Sequence, residues 1–200
     1  MKKPDIPLKY AGNFTLPILG IGTYGMGGRL ERDPRADDQR DITAMKEALK
    51  MGLTHIDTAE VYAEGFAEVL IGQAIQEFDR KKLIIVSKVY PNNLHYGDVI
   101  KSCRQSLDRL GITYLNLYLI HGPHHSTPLK ETMKAFDYLL ENELIQDIGV
   151  SNFDIPLIQE AQSYTKYKIV NNQIHYSLVA RSYEDNGTLK YCQENNQDPI

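Results

Sequence analysis

The 200-residue chain contains no tryptophan and only two cysteines, Cys103 and Cys192. Two thiols are too few for a disulfide framework, and neither belongs to a C-x-x-C pair that would suggest zinc or dithiol chemistry. A reducing, cytoplasmic compartment is therefore expected. Basic charge is in slight deficit, with 22 Lys and Arg against 26 Asp and Glu and a net charge of -4. That balance provides no electrostatic footprint for nucleic acid or an anionic membrane. Long apolar runs are missing too: nothing approaches the ~20 residues of a membrane span. The opening "MKKPDIPLKYAG" has two lysines but no apolar core of a signal peptide. Repeats, linkers and low-complexity breaks are likewise absent. What is present, 42% hydrophobic and 24% charged residues, suffices for one soluble domain over residues 1–200 with a sizeable core.

Strand and helix signals alternate along the chain. A small hairpin is expected through Gly12 and Asn13, then a strand at "LPILGIG" (16–22) and a polar loop over 25–38. Ile42, Met45 and Leu49 recur at helical spacing, with Gly52 as the stop. "LTHID" is the next strand, followed by a helical stripe at Ile71, Ile75 and Phe78. "KLIIVSK" precedes the stripe Ile100, Cys103, Leu107 and Leu110, closed by Gly111. "YLNLYLIH" precedes a helix in which Thr127 reads as the N-cap, Pro128 as its first residue, and Leu129, Met133, Phe136 and Leu140 as the apolar face. "LIQDIGVSN", a helix over 154–164, "KIVNNQIH" and a last polar helix over 183–195 give six strand-helix units.

Near-continuous apolar strands alternating with helices argue a parallel sheet covered by helices. The candidates are the closed (β/α)8 barrel and the open doubly wound sheet. Asp57, Lys88, His121, Ser151 with Asn152, and Gln173 all fall at or just past the C-terminal tips of successive strands. A barrel gathers such tips around one mouth, whereas an open sheet spreads them along a line. The barrel accounts for the pattern better.

A phenol with an ordinary pKa near ~10 is a poor acid or base at neutral pH unless its anion is stabilised. A lysine ammonium does that, and a carboxylate paired with the lysine fixes its position. Asp57, Lys88 and Tyr62 can be these three groups, and His121 can supply an imidazole that orients a carbonyl oxygen. The set describes reduction of C=O, with hydride to carbon and a proton from Tyr62 to oxygen. A hydride donor must then bind nearby, and Ser151, Asn152 and Gln173 suit a nicotinamide carboxamide. His121, His124 and His125 lie close in sequence, but adjacent histidines in a proline-containing loop point apart, so no metal site is expected. The mixed-charge run from Arg29 to Arg40 reads as a solvated loop at the mouth, with a substrate-contacting lid as the alternative.

The segments "GIGTYGMG", "GLTHIDTAEVYAE", "IIVSKV", "LNLYLIHGP", "DIGVSNFD" and "VNNQIHYS" resemble, in order and separation, the successive motifs of the aldo-keto reductase family. The resemblance covers residues 15–177. It implies a (β/α)8 TIM barrel, of which this chain covers the first six strand-helix units, and reduction of aldehydes or ketones with NADPH, NADH not being excluded. It also implies a monomeric protein acting on a small-molecule carbonyl substrate. By matching position, Tyr62 is the proton donor, Lys88 and Asp57 tune it, and His121 orients the substrate. Ser151, Asn152 and Gln173 contact the nicotinamide, and Gly22, Thr23 and Tyr24 lie near cofactor or substrate.

Three positions depart from the family pattern. Ala63 stands where glycine usually follows the tyrosine, and Gly122 where a tryptophan usually follows the histidine. The chain also ends at "QENNQDPI", where the seventh strand is expected to begin. The expectation is therefore a truncated barrel with exposed sheet edges. Two other classes compete with the reductase. "GIGTYG" matches G-x-G-x-x-G, but a polar loop rather than a helix follows it. Ser151, Tyr164 and Lys168 resemble the spacing of short-chain dehydrogenases, although "SYTKYKIV" runs from a helix straight into a strand. A non-catalytic nucleotide-binding redox sensor built on the same barrel is the third alternative.

Overall fold

In a computed structural model of the protein, residues 6–11, 14–124, 126–195 and 197–199 are described. Gly12, Asn13 and His125, which the sequence reading singles out, lie outside them. The expected N-terminal hairpin is formed by β1 (Leu8–Ala11) and β2 (Phe14–Pro17), antiparallel with Leu8 opposite Pro17. "LPILGIG" is not one strand, however. Leu16 and Pro17 stay with the hairpin, Ile18 and Leu19 are exposed, and only β3 (Ile21–Gly22) joins the main sheet. Pro17 has no N–H to give a sheet ladder. The chain bends at Ile18 and Leu19, and Gly20 then passes so close to the His55 ring that an added Cβ would lie 2.6 Å from Nδ1.

The remaining elements are α1 (Asp38–Lys50), β4 (His55–Asp57), α2 (Phe66–Ile75), β5 (Ile84–Val89), α3 (Tyr96–Leu110), β6 (Leu115–Ile120), α4 (Leu129–Glu141), β7 (Ile145–Ser151), α5 (Ile155–Ser163), β8 (Ile169–Gln173), α6 (Ser182–Asp185), α7 (Thr188–Glu194) and β9 (Asp198–Pro199). Several boundaries follow directly from local chemistry. The carboxylate of Asp37 accepts the Arg40 N–H and caps α1, and α3 stops at Gly111, which adopts φ 66°. Helix α4 begins one residue later than the sequence suggests. Pro128 keeps an extended ψ of 121° and occupies the cap position itself, so Thr127 caps nothing. The single polar helix expected over 183–195 is two, parted at Gly187, whose φ of 82° a right-handed helix cannot contain.

Strands β3 to β9 form one sheet in strictly consecutive order, and every neighbouring pair is parallel. A doubly wound sheet reverses its strand order, and this one does not. It also includes a two-residue seventh strand, β9, one more strand than the sequence reading delimits. Two cores separate along it, as expected for a barrel wall. Ile56, Ile85, Val89, Tyr118, Ile120, Ile148 and Val150 pack outward among the helices, while Val86, Leu117, Leu119 and Val170 form a second, inner cluster. Alternation therefore turns Asp57, Lys88 and Ser151 to the same inner side. On β8 the register shifts by one residue against β7, so that Ile148 pairs with Ile169 but Gly149 with Asn171. This bulge at Val170 brings Gln173 to the inner side as well.

Candidate active site

The inner-facing groups converge at the strand tips. The Lys88 ammonium donates to both carboxylate oxygens of Asp57, each at 2.8 Å, and to the Thr58 carbonyl at 2.9 Å. Its fourth neighbour is the Tyr62 hydroxyl at 3.5 Å. Gln173 Nε2 donates to Asp57 Oδ1 at 3.0 Å, joining residues 116 positions apart. Thr23 fixes the backbone of Asp57 from the other side, since its N–H and its Oγ1 both donate to the Asp57 carbonyl, at 3.1 and 3.0 Å. The Thr23 hydroxyl is thereby buried and engaged.

Tyr62 opens a tight turn, Tyr62–Gly65, in which Ala63 (φ 49°), Glu64 (φ 57°) and Gly65 (φ 88°) are all left-handed. The turn lifts the phenol over the ammonium, with Lys88 Nζ 5.2 Å from the ring centroid. Tyr24 and His121 meet the same ring edge-on, at centroid distances of 5.2 and 5.7 Å. These groups border an open cleft of about 350 Å³ lined by Asp57, Tyr62, His121, Ser151, Asn152 and Gln173, with Ile174 and His175. Gly22 pairs with Asp57 in the sheet register. Asn152, at φ 59°, donates from Nδ2 to Ser151 Oγ and accepts the His175 N–H.

Two titrations define what the cleft can do. Burial pushes the Tyr62 phenol above its ordinary value, outweighing the pull of the Lys88 ammonium in the opposite direction. The hydroxyl thus carries its proton throughout the neutral range. Burial first, and the Lys88 charge second, lower His121 to about 4, so its imidazole is neutral and holds a single N–H. Its Nδ1 is buried without a partner among the described residues. A protonated phenol, a neutral imidazole and a fixed ammonium around one cleft can bind a carbonyl oxygen and hand it a proton.

A nicotinamide carboxamide requires one acceptor and one donor. With Nε2 turned to Asp57, Gln173 presents Oε1 as the acceptor, and Ser151 supplies a hydroxyl donor, so the residues present fit that group. The competing constellations do not assemble. Ser151 ends β7 beside Gln173, whereas Lys168 precedes β8 at the far end, about 16 Å away for five residues at ~3.3 Å each. Beyond Gly25, the expected polar loop separates "GIGTYG" from α1, which starts at Asp38. Among the described residues, no three His, Cys, Asp or Glu side chains are placed to hold a metal ion.

Residues 18–200 match the family model described as the Aldo/keto reductase family. The chain is 36% identical over 188 residues to methylglyoxal reductase YeaE of Escherichia coli K12, covering 94% of this chain and 63% of that protein. It is 35% identical over 167 residues to an NAD/NADP-dependent indole-3-acetaldehyde reductase of Schizosaccharomyces pombe, covering 80% and 57%. Among solved structures, the thermostable aldo-keto reductase Tm1743 bound to epalrestat superposes with a TM-score of 0.94 at 42% identity, over 97% of this chain and 71% of that one. A Klebsiella pneumoniae aldo-keto reductase bound to NADPH gives 0.84 at 35%, over 92% and 63%. The chain thus spans less than two thirds of the length of these curated relatives.

Proposed function

The chain belongs to the aldo/keto reductase family, and from that premise we propose that the protein reduces aldehydes or ketones to alcohols with NADPH, the proton coming from Tyr62. The observation that carries this reading is the position of Lys88 Nζ, held 2.8 Å from both oxygens of Asp57 and 3.5 Å from the Tyr62 hydroxyl. The cofactor, when bound, supplies the hydride. Ser151, Asn152 and Gln173 hold its carboxamide, and Gly22, Thr23 and Tyr24 border it or the substrate. His121 donates its one N–H to the carbonyl oxygen and orients it toward Tyr62. As that oxygen gains charge, Tyr62 releases its proton to it, and the ammonium of Lys88 stabilises the phenolate left behind. Asp57 holds the Lys88 ammonium in place through both of its oxygens.

The substrates are small carbonyl compounds, with 2-oxoaldehydes favoured because several relatives are named methylglyoxal reductases. NADPH is favoured because solved relatives hold it, although one relative is named as specific for NADH. The protein acts as a cytoplasmic monomer on this reading. In support, Cys103 and Cys192 are both buried free thiols, and no helix among the described residues is long and apolar enough to cross a membrane.

Tyr62→Phe in the full-length protein tests the proposal. Turnover of methylglyoxal and other aldehydes, followed by NADPH absorbance, should fall at least ~100-fold while NADPH affinity holds. Unchanged turnover would remove Tyr62 from its role. NADPH binding without turnover of any carbonyl by the unaltered protein would instead favour the non-catalytic sensor.

A further inference from the structure

The turn that carries Tyr62 is held from outside by the loop between β3 and α1. The N–H of Ala63 donates to the Arg29 carbonyl at 2.7 Å and that of Glu64 to the Leu30 carbonyl at 3.0 Å. The Arg32 N–H returns to Glu64 Oε2 at 3.2 Å. Ala63 and Glu64 are non-glycine residues at φ 49° and 57°, a conformation that persists only where its surroundings impose it. The expected solvated loop is therefore a strap across the catalytic turn.

One side chain keeps the strap in shape. The Arg32 guanidinium donates to the carbonyls of Gly27 and Asp33, at 2.6 and 2.5 Å, and to Asp38 Oδ2 at 2.6 Å. Its Cζ also lies 4.2 Å from the centroid of the Phe66 ring. Phe66 is the first residue of α2, which begins where the Tyr62 turn ends. Arg32 therefore grips the strap, the first turn of α1 and the downstream end of the Tyr62 turn together. A carboxylate one helical turn further along α1 adds a second anchor, as Asp41 Oδ2 accepts the Gly27 N–H at 3.0 Å.

We propose that Arg32 is a positioning residue for Tyr62: by clamping the 27–33 strap between α1 and Phe66, it holds the left-handed turn and keeps the phenol within reach of Lys88. The proposal rests on the reductase reading and adds to it a residue that touches neither Tyr62 nor Lys88. The action is geometric. It depends on a planar fork serving three acceptors while stacked on a ring, which a lysine cannot reproduce.

The test uses Arg32→Met and Arg32→Lys in the full-length protein, with two readouts. Amide hydrogen exchange at Ala63 and Glu64 should quicken about tenfold or more, while exchange in α3 is unchanged. The kcat for aldehyde reduction should fall about 10- to 100-fold, the scale of a displaced catalytic group, with NADPH affinity retained and Arg32→Lys failing to rescue. Should Arg32→Met not fold, Asp38→Ala, which removes one acceptor of the clamp, should give the same pattern with a smaller amplitude. Retained protection at the two amides, a full kcat in a folded variant, or a parallel loss of NADPH affinity would each overturn the proposal. An unaltered protein that reduces no carbonyl would sink the reductase reading alone, and the exchange data would still decide the clamp.

Discussion

Lys88 and Asp57 share a two-pronged ion pair, but the pair is sealed on one side only: the lysine side chain is 1% exposed and the aspartate 18%. The two partners therefore differ in what they leave behind. Asp57→Asn strands a buried ammonium with carbonyl and amide acceptors alone, which should cost about 3–5 kcal/mol, as for other broken buried pairs. Lys88→Met leaves a carboxylate that still has Gln173 and some access to water, and should cost less. Urea unfolding of both variants checks the order, and equal costs would contradict the asymmetry.

His121 should titrate at about 4, readable from its ring proton shifts by NMR against a His121→Gln control. The sign for stability follows from its folded value lying below the ordinary 6.5. As pH falls from 6.5 toward 4 the unfolded chain takes up the proton first, so the stability contributed by the neutral ring is complete above 6.5 and is lost across that window. The native protein should therefore lose stability on acidification faster than His121→Gln. A midpoint near 6.5 would show that the ring is not desolvated.

Ala63 is fully buried in a left-handed conformation. Ala63→Val should cost roughly 2 kcal/mol or more, because a β-branched side chain adopts that region only as an outlier. Ala63→Gly should stay within about 1 kcal/mol, since relief of the left-handed strain is offset by the lost methyl and the freer unfolded chain. Thermal unfolding of the pair separates the backbone effect from the loss of volume.

Gly72 marks the closest approach of α2 to the end of α3, where an added Cβ would lie 2.8 and 2.9 Å from the carbonyl oxygens of Arg109 and Leu110. Neither oxygen is the end of a flexible side chain. Gly72→Ala should therefore destabilise by about 1–3 kcal/mol despite the better helix propensity of alanine. A more stable variant in urea would show that the helices can part freely.

The elements most legible in the sequence were those whose signal is local. The 3–4 spacing of Ile42, Met45 and Leu49 gave α1, Gly111 ended α3, and the polar residues at strand tips gave the ring of Asp57, Lys88 and Gln173. Features built from distant partners left no such trace. Nothing around Arg32 announces that its guanidinium closes a loop against α1 and Phe66. Nothing around Ala63 and Glu64 announces left-handed backbone, because their N–H partners come from residues 29 and 30. The bond between Gln173 and Asp57 spans the length of four strand-helix units. Glu68 does leave a trace, as a lone carboxylate in the apolar stretch "FAEVLIGQAI"; it is fully buried and bound by Ser87 and Arg109.

The bulge at Val170 bears on how this strand can change by descent. Each point substitution in "KIVNNQ" alters one side chain and leaves its neighbours facing as before. With Asn171 kept opposite Gly149, the gain of a single residue between Asn171 and Gln173 would push Gln173 one place past Ser151 and turn it outward. The Asp57 carboxylate would then lose its amide partner without any active-site residue having been replaced. In this segment the number of residues decides which side chains face the cleft, and no point substitution can change that.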